Sequence, residues 1–127
     1  MPTLLRGLSI LLVEDDDDLR ELLRHVLSEH GADVTGARTI AEARDALQTR
    51  AHDVMVTDLG LPDGHGHVLG GEALAVGVGA AIALTGDRND ATLDASSASG
   101  FRLHLGKPFD PQLLAHVVAS LGLNDAT

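Results

Sequence analysis

The apolar residues of the chain alternate between two spacings. Ser9 to Val13 (SILLV) is a short, continuous apolar run, the pattern of a parallel strand covered on both faces. Leu19, Leu22, Leu23, Val26 and Leu27 then recur at i, i+3, i+4, i+7 and i+8, which predicts an amphipathic helix with those side chains inward, closed by Gly31. The pair repeats. ADVTGA (32–37) predicts a second strand, and Thr39 with Glu42 forms a T-x-x-E capping box that opens a helix through Ile40, Ala43, Ala46 and Leu47. DVMVTD (53–58) predicts a third strand that ends in an acid. Residues 60–86 hold eight of the 14 glycines, each weakening a helix by about 1 kcal/mol relative to alanine, so only a short helix is predicted there, over Val68 to Val76.

AAIALTG from position 80 predicts a fourth strand, 88–99 a helix weakened by Ser96, Ser97 and Ser99, and FRLHL (101–105) a fifth strand. Asp110 as N-cap and Pro111 at the first helical position open a last helix. Its Leu113, Leu114, Val117, Val118 and Leu121 are expected to face inward, and Gln112, Ala115, His116 and Ala119 outward, until Gly122. Five strands alternating with five helices through short connections predict an α/β fold, a doubly wound five-stranded parallel sheet with right-handed crossovers. The third and fourth helices are expected to be short or irregular, with low local stability on that side. Ligands of such sheets bind at the carboxyl ends of the strands.

Composition narrows the range of functions. The 127 residues, 44% of them hydrophobic, suit one domain (1–127) with a core over about 8–121 and short tails at 1–7 and 122–127. A net charge of −10 with nine Lys plus Arg argues against direct nucleic-acid binding or an anionic membrane surface. The lack of cysteine removes disulfides, thiolate metal sites and thiol nucleophiles. No apolar run is long enough for a membrane span and no signal peptide is apparent, so the expected location is cytoplasmic.

The chemistry gathers at the predicted strand ends. Glu14 and Asp15 follow the first strand, Asp58 the third, Thr85 the fourth, and Lys107 with Pro108 the fifth. Three converging carboxylates repel one another unless a cation neutralises them, and a donor set made only of oxygen favours a hard ion such as Mg²⁺, or Mn²⁺, over zinc. A hydroxyl and an ammonium opposite a metal-bound carboxylate suit an arriving anion with several oxygens, which indicates phosphoryl transfer to an aspartate.

LLVEDD, VTDLGLPDGHG, ALTG and GKPF occur in an order and at a spacing that resemble a response-regulator receiver domain (CheY-like), from about Leu8 to Leu121. The resemblance implies a flavodoxin-like strand order 2-1-3-4-5 and a two-component or phosphorelay role. Asp58 would be the phosphoacceptor, charged by a sensor histidine kinase or histidine phosphotransfer protein. Glu14, Asp15, Asp58 and the backbone carbonyl of Gly60 would hold Mg²⁺. Lys107 would pair with the phosphoryl group, before a cis bond to Pro108. Thr85 would draw the switch residue inward, here His104 in place of the usual aromatic residue. Gly60 and Asp87 would tune phosphoryl lifetime, glycine leaving the approach open and Asp87 repelling or orienting water. An output protein of unknown identity would read the switch.

Other readings stand beside this one. The acidic run EDDDD also suits a helix-capping loop, with Asp17 as N-cap and Asp16 and Asp18 at the positive end of the helix dipole. His65 and His67 read as a solvated glycine-rich loop rather than transition-metal ligands, because no third ligand occurs at recognisable spacing. A phosphorylation-independent pseudo-receiver serving as an interaction module is the alternative. A haloacid-dehalogenase-like phosphatase is disfavoured because position 60, where its second aspartate would stand, is glycine. The interval from Asp58 to Thr85 is shorter than usual in the family, with VLGGEALAVGVG in place of a charged third helix. The last helix lacks the outward basic residues through which many transcription-factor receivers dimerise. With GLNDAT alone after Leu121, the expectation is either a stand-alone receiver, which Met1 suits, or part of a hybrid kinase.

Overall fold

The computed structural model describes residues 4–86 and 100–123. Five parallel strands form the sheet: β1 (Ser9–Val13), β2 (Asp33–Ala37), β3 (Val54–Asp58), β6 (Ala80–Thr85) and β7 (Leu103–Gly106), in the order β2-β1-β3-β6-β7. Counting only these five, that is the flavodoxin-like order 2-1-3-4-5. A separate antiparallel hairpin, β4 (Gly60–Leu61) and β5 (Gly64–His65), leaves the end of β3. Helices α1 (Asp17–Glu29), α2 (Ile40–Thr49), α3 (Val68–Ala75) and α4 (Pro111–Ser120) cover the sheet. The expected helix at 88–99 and Asp87 lie outside the described residues.

Strand alternation divides the apolar residues between two cores. Leu11, Val13, Met55, Ala81 and Ala83 pack with α2 and α3, whereas Ile10, Leu12, Val54, Val56, Ile82 and Leu84 pack with Leu23 and Leu27 of α1 and Leu114 and Val118 of α4. Both faces of the central strands are thereby dry, which is why these strands read as unbroken apolar runs. Among the described residues no helix is long and apolar enough to cross a membrane.

Several local expectations shift. Asp16, not Asp17, is the N-cap of α1: its backbone is extended and its carboxylate accepts from Leu19 N–H at 3.1 Å. Asp17 is already helical and pairs with Arg20 at 2.7 Å. Leu22 is 48% exposed, because the buried stripe of α1 runs through Leu23, Val26 and Leu27 and Leu22 falls beside it. The last helix is rotated in the same way. Leu114, Ala115 and Val118 are buried there while Leu113 is 46% exposed, so Ala115 faces in and Leu113 out, opposite to expectation. Ala115 sits in the core shared with Leu23 and Leu27 of α1, a position where spacing alone gives no signal.

β7 begins at Leu103, two residues later than expected. Arg102 N–H already bonds Ala81 O at 2.8 Å, but Phe101 turns into the α3 core. Thr39 caps α2 as expected, accepting from Glu42 N–H at 3.0 Å, while Glu42 reaches back to Arg38 N–H at 2.9 Å rather than to its cap residue. Asp63, in the hairpin turn, accepts from the N–H groups of Ile40 and Ala41 at 2.9 and 3.1 Å, adding a second cap to the same helix from 23 residues away.

Candidate functional site

The carboxyl ends of β1, β3, β6 and β7 converge because all four strands run parallel and in register. Val13 lies beside Thr57, Asp58 beside Leu84, and Thr85 beside Gly106. The next residue on each strand meets the same edge. Lys107 is locked to the end of β6 by its own N–H, which donates to Thr85 O at 2.7 Å. The Lys107–Pro108 peptide bond is cis.

Glu14 is 1% exposed, and its carboxylate is held from two directions. Asp16 N–H donates to Oε2 at 3.1 Å and Lys107 Nζ to Oε1 at 2.9 Å. Arg20, unremarked in the sequence, binds the Glu14 carbonyl at 2.8 Å and ties α1 to the end of β1. Burial pushes the Glu14 carboxyl above its ordinary value, more than Lys107 and the Asp16 amide pull it down; the nearby Asp58 also raises it.

Asp58 is 9% exposed. Gly60 N–H donates to Oδ1 at 3.2 Å and Lys107 Nζ to Oδ2 at 3.0 Å. Burial lowers the pKa of the Lys107 ammonium, but the two carboxylates outweigh it and hold the group above its ordinary value. Lys107 is therefore a fixed cation bridging two acids.

One carboxylate oxygen from each of Glu14, Asp15 and Asp58 lies within 4.8 Å of the others, and Asp15 is exposed. Three carboxylates facing one ammonium leave unbalanced negative charge, and the donors are all hard oxygens. Such a set fits a small divalent cation of the Mg²⁺ kind.

Asp58, Leu59, Gly60, His65, Thr85, Gly86 and Lys107 line a cavity of about 440 Å³, large enough for a phosphate-sized anion. Thr85 is buried. His104 pairs across the sheet with Ala83, which puts it on the same face as Thr85, two residues farther along β6. Its Nε2 is buried and has no partner among the described residues, and burial holds the ring's pKa below its ordinary value.

Two residues of the glycine-rich segment do more at this site than its composition suggests. A Cβ on Gly66 would sit 2.4 Å from Asp58 O, so only glycine lets the chain pass so close behind Asp58. His65, read as part of a solvated loop, lines the cavity; burial, with His67 beside it, lowers its pKa, and Asp58 opposes the shift. The signal for this placement was LPDG, a turn sequence that closes a two-residue hairpin loop between Leu61 and Gly64.

Residues 10–119 match the family described as response regulator receiver domain. The uncharacterized 14.6 kDa protein in the sodA1 3′ region of Leptolyngbya boryana is 37% identical over 117 residues, covering 90% of this chain and 89% of that protein. Transcriptional regulatory protein GltR of Pseudomonas aeruginosa is 36% identical over 121 residues, 91% of this chain but 49% of GltR, so the chain spans about half of that relative. A CheY-like receiver domain protein from Methanospirillum hungatei superposes with a TM-score of 0.84 at 25% identity, over 92% of this chain and 94% of the other.

Proposed function

The chain belongs to the response-regulator receiver family of two-component signalling, and on that premise we propose that it accepts a phosphoryl group on Asp58 from a phosphohistidine and passes the signal on through Thr85 and His104. The family is a signalling domain rather than a classical enzyme. The observation that carries the proposal is the Asp58 carboxylate itself. It lies at a cavity wall with Lys107 at 3.0 Å from one oxygen, and Thr85 borders the same space.

In the proposed transfer, a carboxylate oxygen of Asp58 attacks phosphorus, the P–N bond breaks, and the donor imidazole leaves with its electron pair and takes up a proton. Lys107 is positioned to neutralise the oxygens of the moving group. Glu14, Asp15 and Asp58 would hold a divalent ion, with the Gly60 carbonyl as a further ligand; when bound, that ion supplies the remaining positive charge against phosphoryl oxygens. Leu19, Pro108 and Phe109 line a second hollow of about 400 Å³ that also touches Lys107, an apolar footing for the kinase or phosphotransfer protein that delivers the group.

Once Asp58 carries the phosphoryl group, the Thr85 hydroxyl bonds one of its oxygens, and the space it leaves admits His104, whose buried Nε2 lacks a partner among the described residues. The altered surface around β7 is what an output protein would read. Incubation with acetyl phosphate and Mg²⁺, followed by intact mass, tests the assignment: one added phosphoryl group in the native protein, and none in Asp58→Asn or with a chelator. Undiminished labelling of Asp58→Asn would sink it.

A further inference from the structure

Position 60, two residues beyond the acceptor, has no side chain, and a Cβ built there meets nothing within 4 Å. Gly60 and Asp58 both line the cavity at this edge. His65 is the directly opposed partner of Gly60 in the β4–β5 hairpin. Opposed residues of an antiparallel pair project to the same face. The imidazole therefore stands on the side where a residue-60 side chain would have been, and it lines the same cavity.

The ring's tautomer follows from its neighbours. His67 backbone N–H points at His65 Nδ1 at 3.2 Å, and His67 Nδ1 approaches the same atom at 2.6 Å. A nitrogen that accepts from the His67 amide carries no proton of its own, so in the neutral ring the proton is on Nε2. That Nε2–H has no partner among the described residues. His65 thus presents a donor, not a base, to a cavity built around the acceptor.

The geometry points to His65 as the residue that stands in for the missing side chain at position 60, donating from Nε2–H to an oxygen of the phosphoryl group on Asp58 and prolonging its lifetime. His67 is the positioning residue that holds His65 in the donating tautomer. The inference rests on Asp58 being the phosphoacceptor. The reaction it slows is hydrolysis: a water oxygen attacks phosphorus, the bond from phosphorus to the Asp58 oxygen breaks, the carboxylate leaves with the electron pair, and the water's protons remain with inorganic phosphate and solvent. A donor fixed on a phosphoryl oxygen stabilises the loaded state and occupies one side of the water's approach.

The test loads the full chain with acetyl phosphate and Mg²⁺, removes the donor, and follows loss of the added mass in the native protein, His65→Ala, His65→Phe and His67→Ala, each from its own loaded fraction. Loss of one hydrogen bond to a charged group predicts decay on the order of tenfold faster in both His65 variants. In His67→Ala the imidazole ¹⁵N signals of His65 should leave the pattern of a single Nε2–H tautomer, with faster decay alongside. Native-like decay in His65→Phe beside rapid decay in His65→Ala would reduce His65 to a steric shield and overturn the donor assignment. Unchanged or slower decay in His65→Ala would overturn it outright. A native protein that takes up no phosphoryl group from acetyl phosphate or a phosphohistidine donor refutes the proposed function itself, and this inference with it.

Discussion

Lys107 Nζ lies 3.0 Å from Asp58 Oδ2, although 49 residues separate the two in the chain. The same ammonium reaches Glu14 at 2.9 Å, so one cation spans the ends of β1 and β3. Removing it leaves Glu14, 1% exposed, without its counter-charge. Lys107→Met is expected to lower stability by about 2 kcal/mol, below the range for fully buried pairs because the lysine is partly solvated. Urea titration measures this. If Asp58 accepts a phosphoryl group as proposed, the same variant should uncouple that step from change near His104, visible as loss of the NMR response there.

Divalent-ion binding should stabilise the folded chain, since the three carboxylates converge only when it is folded. At ten times its dissociation constant, Mg²⁺ adds about 1.4 kcal/mol, or roughly 5 °C in Tm for a domain of this size. Thermal melts with and without the ion should show this shift in the native protein and lose it in Asp15→Asn.

Gly66 passes directly behind Asp58, where a Cβ would meet Asp58 O at 2.4 Å. That neighbour is backbone and cannot swing aside. Gly66→Ala is expected to cost about 2 kcal/mol and to perturb the amide signals of residues 58–60, measured by chemical denaturation and by NMR.

Asp63 caps α2 through the amides of Ile40 and Ala41, and these bonds hold its carboxyl below the usual range. Asp63→Ala should lower stability and loosen the hairpin that carries His65. Hydrogen exchange at Ile40 and Ala41 would rise; unchanged protection would count against the cap.

His52 lies away from the site, with Nε2–H donating to Ala46 O at 3.2 Å and Nδ1 near the Ser9 hydroxyl. Burial holds its folded pKa below the unfolded value of about 6.5. In the window between the two values the unfolded chain binds more protons. The stability His52 contributes is therefore complete above about pH 6.5 and is lost as pH falls through that window. His52→Gln should flatten the decline of unfolding free energy between about pH 7 and pH 5 in urea titrations; an unaltered slope would place the effect elsewhere.

Strand and helix order was legible in the sequence because burial on two faces demands unbroken apolar strands, and amphipathic helices demand a helical period; SILLV, DVMVTD and AAIALT all say so. The strand-end residues were legible for a related reason, since a parallel sheet brings all its carboxyl ends to one edge. Helix phase was not. Leu22 and Leu113 are apolar and exposed while Ala115 is small and buried, and only the docking angle against the sheet decides which flank of a stripe is covered.

The hairpin was the larger omission. Glycines weaken the case for any regular element, so the residues after Asp58 read as loop, yet Gly64 and Gly66 are what allow that segment to fold tightly against Ile40 and the back of Asp58. By itself the sequence determined the alternation of strands and helices and the acids at the strand ends, because these follow from local periodicity, while the strand order came from the resemblance to the receiver family. Only the tertiary structure decided that Lys107 bridges Glu14 and Asp58, that Asp63 caps a helix 23 residues earlier, and that His65 stands over Gly60. Those are relations between segments distant in the chain, and their distances exist only after the sheet has closed.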